Sequence, residues 1–157
     1  MELSNKTIML VDAETIKAHD IKKQLEEHTY NVVLARNGEE AISTIADTKI
    51  DMILMDSDLG NDIDETEAVS KILENHDVPV VFLLNQPEQD IFRKIEKIES
   101  YGITSKQSSM TIIDALIKKT FEFDRENIIF SPGCASFDLF ENAKERGKLF
   151  SKIIKNM

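Results

Sequence analysis

One cysteine, Cys134, is all the thiol chemistry this sequence has. No intrachain disulfide can form, and there is no cysteine cluster of zinc-binding spacing. A reducing, intracellular setting follows, with the cytoplasm as the expected compartment. Long hydrophobic runs are missing too. No apolar stretch approaches the roughly 20 residues that span a bilayer, so no membrane span is expected. The start, Met1-Glu2-Leu3-Ser4-Asn5-Lys6, lacks the apolar core of a signal peptide. Basic charge is scarce: 19 Lys and Arg stand against 29 Asp and Glu, a formal net charge of −10. Nucleic-acid binding draws its affinity from Lys and Arg on phosphates, so nucleic acid is not an expected partner. Glycine-rich phosphate loops are also absent. No Gly-x-Gly-x-x-Gly follows the first strand-like run, and no loop ends in Gly-Lys-Ser/Thr. Dinucleotide and P-loop nucleotide sites are thereby disfavoured. So acidic a body suits a protein that holds a divalent cation or meets basic partners.

What is present is a strong rhythm. The chain is 41% hydrophobic and 31% charged, enough for one cored domain with a solvated surface. Thr7 to Val11 is a short apolar run that ends at Asp12. A helical pattern follows to His28, with Ile16, Ile21 and Leu25 expected inward. Asn31 to Ala35 is the next strand. Asn37-Gly38 marks a turn, and a short helix runs from Glu39 to Asp47. Asp51 to Met55 is the third strand, in which Ile53, Leu54 and Met55 read as buried on both faces, and it ends at Asp56. The polar stretch Ser57 to Asp64 reads as a loop. A helix then carries Ala68, Val69, Ile72 and Leu73, and Val80 to Leu84 is a fourth buried strand. The pattern predicts a helix starting near Pro87, striped by Ile91, Ile95 and Ile98. Tyr101 to Ser105 is a weak fifth strand, followed by Lys106 and a helix with Ile112, Ile113, Leu116, Ile117 and Phe121 inward.

Strand and helix alternate with short connections, which predicts a doubly wound parallel α/β sheet with helices on both faces. In such sheets chemistry gathers outside the carboxyl ends of the strands. Asp12, Asp56 and Lys106 all stand there. A carboxylate in that place is a cap, a metal ligand or a phosphoryl-accepting nucleophile. In a flavodoxin-like order, 2-1-3-4-5, the first and third strands are neighbours, so Asp12 and Asp56 share one pocket. Two close carboxylates repel unless a cation stands between them. Mg²⁺ takes oxygen ligands and keeps several waters. Lysine supplies a point charge for a phosphoryl oxygen. Such a site favours transfer of a phosphoryl group onto Asp56.

Five stretches in order carry a resemblance: Ile8 to Asp12, Asn37 to Ala41, Asp51 to Asp56, Pro79 to Leu83, and Tyr101 to Lys106. Over roughly residues 6 to 123 the sequence resembles the receiver domain of two-component response regulators. Asp58-Leu59-Gly60 and Ser100-Tyr101-Gly102 are similar to stretches of receivers found in chains with sensor kinase modules. The resemblance implies Asp56 as phosphoacceptor, Lys106 as the phosphoryl-contacting lysine and Asp12 as an acid-pocket residue. It implies Mg²⁺ held by Asp12, Asp56 and the backbone carbonyl of Asp58. It also implies a histidine kinase or phosphotransfer protein as donor and a downstream protein as partner, with no enzymatic activity beyond self-phosphotransfer onto Asp56 and its hydrolysis.

Four positions depart from the family pattern, Asn85 among them, where a small residue is usual. Ala13 stands where a second acid usually binds the metal. Loss of one charge-assisted contact weakens Mg²⁺ about tenfold or more. Leu84 stands where a Ser or Thr hydroxyl usually meets the phosphoryl group, and Ile103 fills the aromatic switch position. Two readings stay open: a receiver with impaired phosphoryl acceptance on Asp56, and a pseudo-receiver whose contacts do not depend on phosphate. A third, from another class, is a Mg²⁺-dependent phosphate-ester hydrolase using Asp56, with Asp58 as second acid.

Residues 1–124 form the receiver-like unit in this reading, and 125–157 a linker and terminal helix. Asn127 to Gly133 reads as linker with an apolar patch. From Ser136, Leu139, Phe140, Ala143, Leu149, Phe150, Ile153 and Ile154 form one apolar stripe opposite a basic face. Such a stripe is expected to pack on its own domain or to pair with a second copy as a homodimer.

Overall fold

The computed structural model describes residues 4–57, 65–84, 93, 102–122 and 129–130. Its elements run β1 (Thr7–Val11), α1 (Thr15–Glu27), β2 (Asn31–Ala35), α2 (Gly38–Asp47), β3 (Met52–Asp56), α3 (Glu65–Leu73), β4 (Val80–Leu84), β5 (Gly102–Ser105), α4 (Met110–Glu122) and β6 (Ile129–Phe130). All strands pair in parallel, in the order β2-β1-β3-β4-β5-β6. The expected 2-1-3-4-5 sheet is therefore present, a flavodoxin-like arrangement. One short strand is added to its edge: Ile129 and Phe130 lie in the stretch expected as linker, and they pair with Gly102 and Ile103. The expected helix near Pro87 (Arg93 apart, which is helical), the loop 58–64, Cys134 and the terminal helix from Ser136 lie outside the described residues.

Period-two alternation sorts the strand side chains into two cores. Met9, Val11, Ile53, Met55, Phe82 and Leu84 pack with α2 and α3. Ile8, Leu10, Met52, Leu54, Val81 and Leu83 pack with α1 and α4. This two-sided burial explains why β1, β3 and β4 read as unbroken apolar runs rather than alternating ones.

Helix starts and stops are set locally. The Asn37 side chain accepts the Glu40 amide at 2.8 Å and caps α2, while Glu40 accepts the Arg36 amide at 2.9 Å. The helix thus begins at Gly38, with Asn37 as its cap rather than as part of a free turn. In α1 the inward face is Ala18, Ile21 and Leu25. Ile16 was expected there and is instead 87% exposed. Five residues separate it from Ile21, an offset of about 140° on a helix of 3.6 residues per turn. Ile112 is likewise exposed, at the edge of the α4 stripe.

Candidate functional site

The parity that fills the α1/α4 core also aims the site. Asp12 continues the Ile8, Leu10 series, Asp56 the Met52, Leu54 series, and Lys106 follows the same face of β5. Strand register then brings them level, since Val11 pairs with Met55 and Asp56 with Leu83. Backbone bonds carry the ladder past the strand ends. Asp12 N–H donates to Ala35 O at 3.0 Å, Ser57 N–H to Leu83 O at 3.0 Å, and Lys106 N–H to Leu84 O at 2.9 Å. Asp12, Asp56 and Lys106 are therefore held at the edge by the sheet itself.

Lys106 Nζ lies 2.8 Å from Asp12 Oδ2 and 3.3 Å from Asp56 Oδ2. All three residues are buried, at 8%, 2% and 1% exposure. The Asp56 contact is a hydrogen bond. The Asp12 contact is an ion pair off the hydrogen-bonding direction, so buried Asp12 Oδ2 has no hydrogen-bond partner among the described residues. Asp12 Oδ1 accepts the Glu14 amide at 2.8 Å. Burial alone would drive the Lys106 ammonium down. The close Asp12 contact and the charges of Asp56 and Asp12 outweigh it, and the Lys106 pKa stands above that of an ordinary lysine.

The sequence-predicted trio is thus brought together. Asp58 lies outside the described residues. Among the described residues no group of three or more His, Cys, Asp or Glu side chains is placed to hold a metal ion. The donor set nevertheless fits a hard cation in part: two buried carboxylates share one positive charge, that of Lys106, and such oxygens are the ligands a hard cation takes. A cleft of about 220 Å³ opens beside Lys106, lined by Lys17, Asp20, Gln24, Gln107 and Met110 among others. Leu84 and Ile103 do not face the pocket. They lie in the core on the opposite, α2/α3 side of the sheet.

Two features escaped sequence reasoning. Ser57, read as loop, is buried directly after Asp56. Thr104 is fully buried on the pocket side of β5, and its hydroxyl lies 3.2 Å from that of Ser108. Their spacing of four residues across a turn is the one signal that could have revealed the pair.

The family model for the response regulator receiver domain matches residues 8–118, and the chain belongs to that family. The N-terminal domain of a response regulator/sensory box/GGDEF 3-domain protein from Carboxydothermus hydrogenoformans is similar in structure. It shares 27% identity at a TM-score of 0.70, covering 74% of this chain and 94% of that one. A response regulator protein from Burkholderia pseudomallei, solved with a phosphorylated aspartic acid, a calcium ion and citrate, has the same fold. It shares 22% identity at a TM-score of 0.64, covering 75% and 70% of the two chains. A different likeness reaches the UDP-N-acetylmuramoylalanine–D-glutamate ligase of Chlorobium limicola, 29% identical over 139 residues. That match takes in 82% of this chain and 29% of the ligase. The chain spans under a third of the length of the ligases it matches. No helix among the described residues is long and apolar enough to cross a membrane.

Proposed function

We propose that this chain is a receiver module that accepts a phosphoryl group on Asp56 and acts through protein contact. The observation that carries the reading is the buried Lys106 ammonium set between Asp12 and Asp56. An Asp56 carboxylate oxygen attacks phosphorus as the bond to the donor's leaving group breaks. Lys106 Nζ leaves its contact with the carboxylates and meets the negative charge gathering on the phosphoryl oxygens. The donor in this reading is a histidine kinase or phosphotransfer protein. Asp12 and Asp56, with the Asp58 carbonyl, would hold Mg²⁺, which when bound supplies further positive charge to the transferred group. The phosphorylated aspartic acid and calcium ion of the Burkholderia relative support the pairing of such chemistry with this fold. Ala13 brings no oxygen, so cation binding is weak and phosphoryl acceptance is slow.

The experiment titrates the protein with Mg²⁺ and beryllium trifluoride, a phosphoryl mimic, and follows amide NMR shifts around Asp56. Saturable shifts that vanish in Asp56→Ala support the reading. Absence of any response at millimolar Mg²⁺ sinks it and leaves the phosphate-independent pseudo-receiver. Leu84 favours that second reading, since it cannot hydrogen-bond and lies on the far side of the sheet. Turnover of small phosphomonoesters would favour the hydrolase instead.

The ligase likeness supports a further alternative, in which this sheet helps to bind a UDP-linked precursor. Ligation itself needs an activating nucleotide, and neither glycine-rich nucleotide motif is present. A thermal-shift titration with UDP-N-acetylmuramoylalanine decides: no shift removes this alternative. For the division at residues 124 and 125, the tail stripe is the output surface, pairing copies or packing on the receiver unit. Deletion of residues 131–157 that leaves the molar mass in solution unchanged counts against pairing.

A further inference from the structure

We propose that Thr104 and Ser108 are positioning residues for Lys106: the bond between their hydroxyls clasps the turn that carries the lysine and fixes where its ammonium sits in the pocket. The proposal deepens the receiver reading. It rests on that reading for what the lysine does to a phosphoryl group, and on geometry for where the lysine sits.

Thr104 lies in β5 two residues before Lys106, on the same face of the strand, and is fully buried. Valine has nearly the same shape and suits a strand equally, and it would fill this place without a polar atom. A buried hydroxyl costs free energy unless it is hydrogen-bonded, and one hydroxyl pair returns little beyond that cost. Packing therefore does not account for the Thr104 hydroxyl. Its partner is the Ser108 hydroxyl at 3.2 Å, and either oxygen can donate.

The chain between the two hydroxyls is short and tied at each step. Lys106 N–H donates to Leu84 O at 2.9 Å, which keeps its backbone on the sheet. Gln107 N–H donates to Ser105 Oγ at 3.2 Å, and Ser108 N–H to Ser105 O at 3.0 Å. Those two bonds set the turn against Ser105, whose side chain alternates to the other face of β5. The Thr104–Ser108 bond ties the turn to the pocket face instead, and it spans Lys106. Half-buried Ser108 also lines the cleft beside Lys106, across from Lys17 and Gln24 of α1. The turn thus has room on its outer side, and a tie on its inner side keeps it from swinging there. Lys106 depends on such a tie. Its ammonium rides on a flexible stem, yet it stands 2.8 Å from Asp12 Oδ2 and 3.3 Å from Asp56 Oδ2. A shift of about 1 Å in a group that acts by placement costs up to about 100-fold.

The test uses Thr104→Val and Ser108→Ala in the full chain, with Thr104→Ser as the variant that keeps the hydroxyl. NMR at one neutral pH gives two measurements. The first is the affinity for beryllium trifluoride in the presence of Mg²⁺. The second is the pair of ε-methylene proton signals of Lys106, which are inequivalent while the side chain is pinned. Thr104→Val and Ser108→Ala are each expected to weaken beryllium trifluoride binding about three- to tenfold and to merge the Lys106 signals. Both substitutions together should be no worse than either alone, because the two hydroxyls act as one unit. Thr104→Ser should behave as the unaltered protein does. Unchanged affinity and unchanged Lys106 signals in Thr104→Val overturn the proposal. Equal weakening in Thr104→Ser also overturns it, since the lost methyl would then be the cause. Should Thr104→Val fail to fold, Ser108→Ala decides alone. If the unaltered protein does not respond to beryllium trifluoride, the receiver reading fails, and the Lys106 signals still decide this proposal: merged signals in Thr104→Val uphold the clasp, and unchanged signals overturn it.

Discussion

Tyr30 and Asp114 stand 84 positions apart, and the Tyr30 hydroxyl donates to Asp114 Oδ1 at 2.7 Å within the protein. The other Asp114 oxygen lies 2.7 Å from Lys118 Nζ and 3.6 Å from His28 Nδ1. This node ties the end of α1 and the start of β2 to α4, the helix that follows Lys106. Burial raises the Tyr30 phenol well above its ordinary value, helped by its bond to Asp114. Burial also works against the Asp114 carboxylate, but Lys118, Tyr30 and His28 outweigh it and hold its pKa below the ordinary 3.8.

Tyr30→Phe should therefore cost about 1.5–3 kcal/mol, since it removes a hydrogen bond to a charged group. Urea denaturation at neutral pH checks this. The sign with pH follows from the depressed Asp114 value. Its contribution is complete above pH 3.8 and fades as pH falls through the lower folded value. The stability gap between the unaltered protein and Asp114→Asn should close in acid. A gap that widens there would contradict the assignment.

Lys106→Met should destabilise the fold by about 3–5 kcal/mol, because Asp12 and Asp56 would then face each other buried and without a cation. Added Mg²⁺ should recover part of the loss if the carboxylates hold it. A second consequence lies in alkali. The Lys106 pKa is raised on folding, so its contribution is complete below the ordinary lysine value of 10.5. It is lost as pH rises through the higher folded value. Stability profiles of the two proteins should converge above pH 10.5, and parallel profiles would show that Lys106 is not the group responsible.

Asp12 and Asp56 could be read from the sequence because each ends an apolar run, and Lys106 because it follows a weaker strand signal; a parallel sheet places all such ends at one edge. The same rhythm predicts the doubly wound sheet, and the order 2-1-3-4-5 is that of its flavodoxin-like form. Side-chain direction was less accessible. Ile16 belongs to an apolar set only if a spacing of five counts as one face, which helix geometry denies. The sixth strand was hidden because two apolar residues carry no periodicity. Their pairing depends on the edge that β5 leaves open, a long-range fact. The Tyr30–Asp114 bond is invisible for the same reason, as no local pattern links a tyrosine to an aspartate on a distant helix.

Leu84→Thr would restore a hydroxyl at the end of β4, but at a cost of about 1–3 kcal/mol. Leu84 is fully buried in the α2/α3 core, where a hydroxyl lacks an evident partner and the lost methyl leaves space. Thermal denaturation measures the cost. If the end of β4 turns toward the pocket when Asp56 is loaded, beryllium trifluoride should stabilise Leu84→Thr more than the unaltered protein. Equal stabilisation would mean that residue 84 stays in its core in both states.

Helix α1 ends at Glu27 with His28 as its C-cap, and Thr29 follows with a positive φ of 73°. Thr29 N–H donates to Glu26 O at 3.0 Å and Tyr30 N–H to Leu25 O at 3.3 Å. Those two bonds form the motif that usually ends a helix on glycine. A β-branched residue there crowds its own backbone. The Thr29 side chain is exposed, so its removal forfeits no core packing. Thr29→Gly relieves the crowding and adds freedom to the unfolded chain, two effects of opposite sign. The left-handed cost for threonine is the larger, and the net gain should be about 0.5–1 kcal/mol. Thr29→Ala keeps Cβ and should gain much less. Urea midpoints for the three proteins settle the order. If Thr29→Gly is the least stable, chain entropy outweighs the relief at this turn.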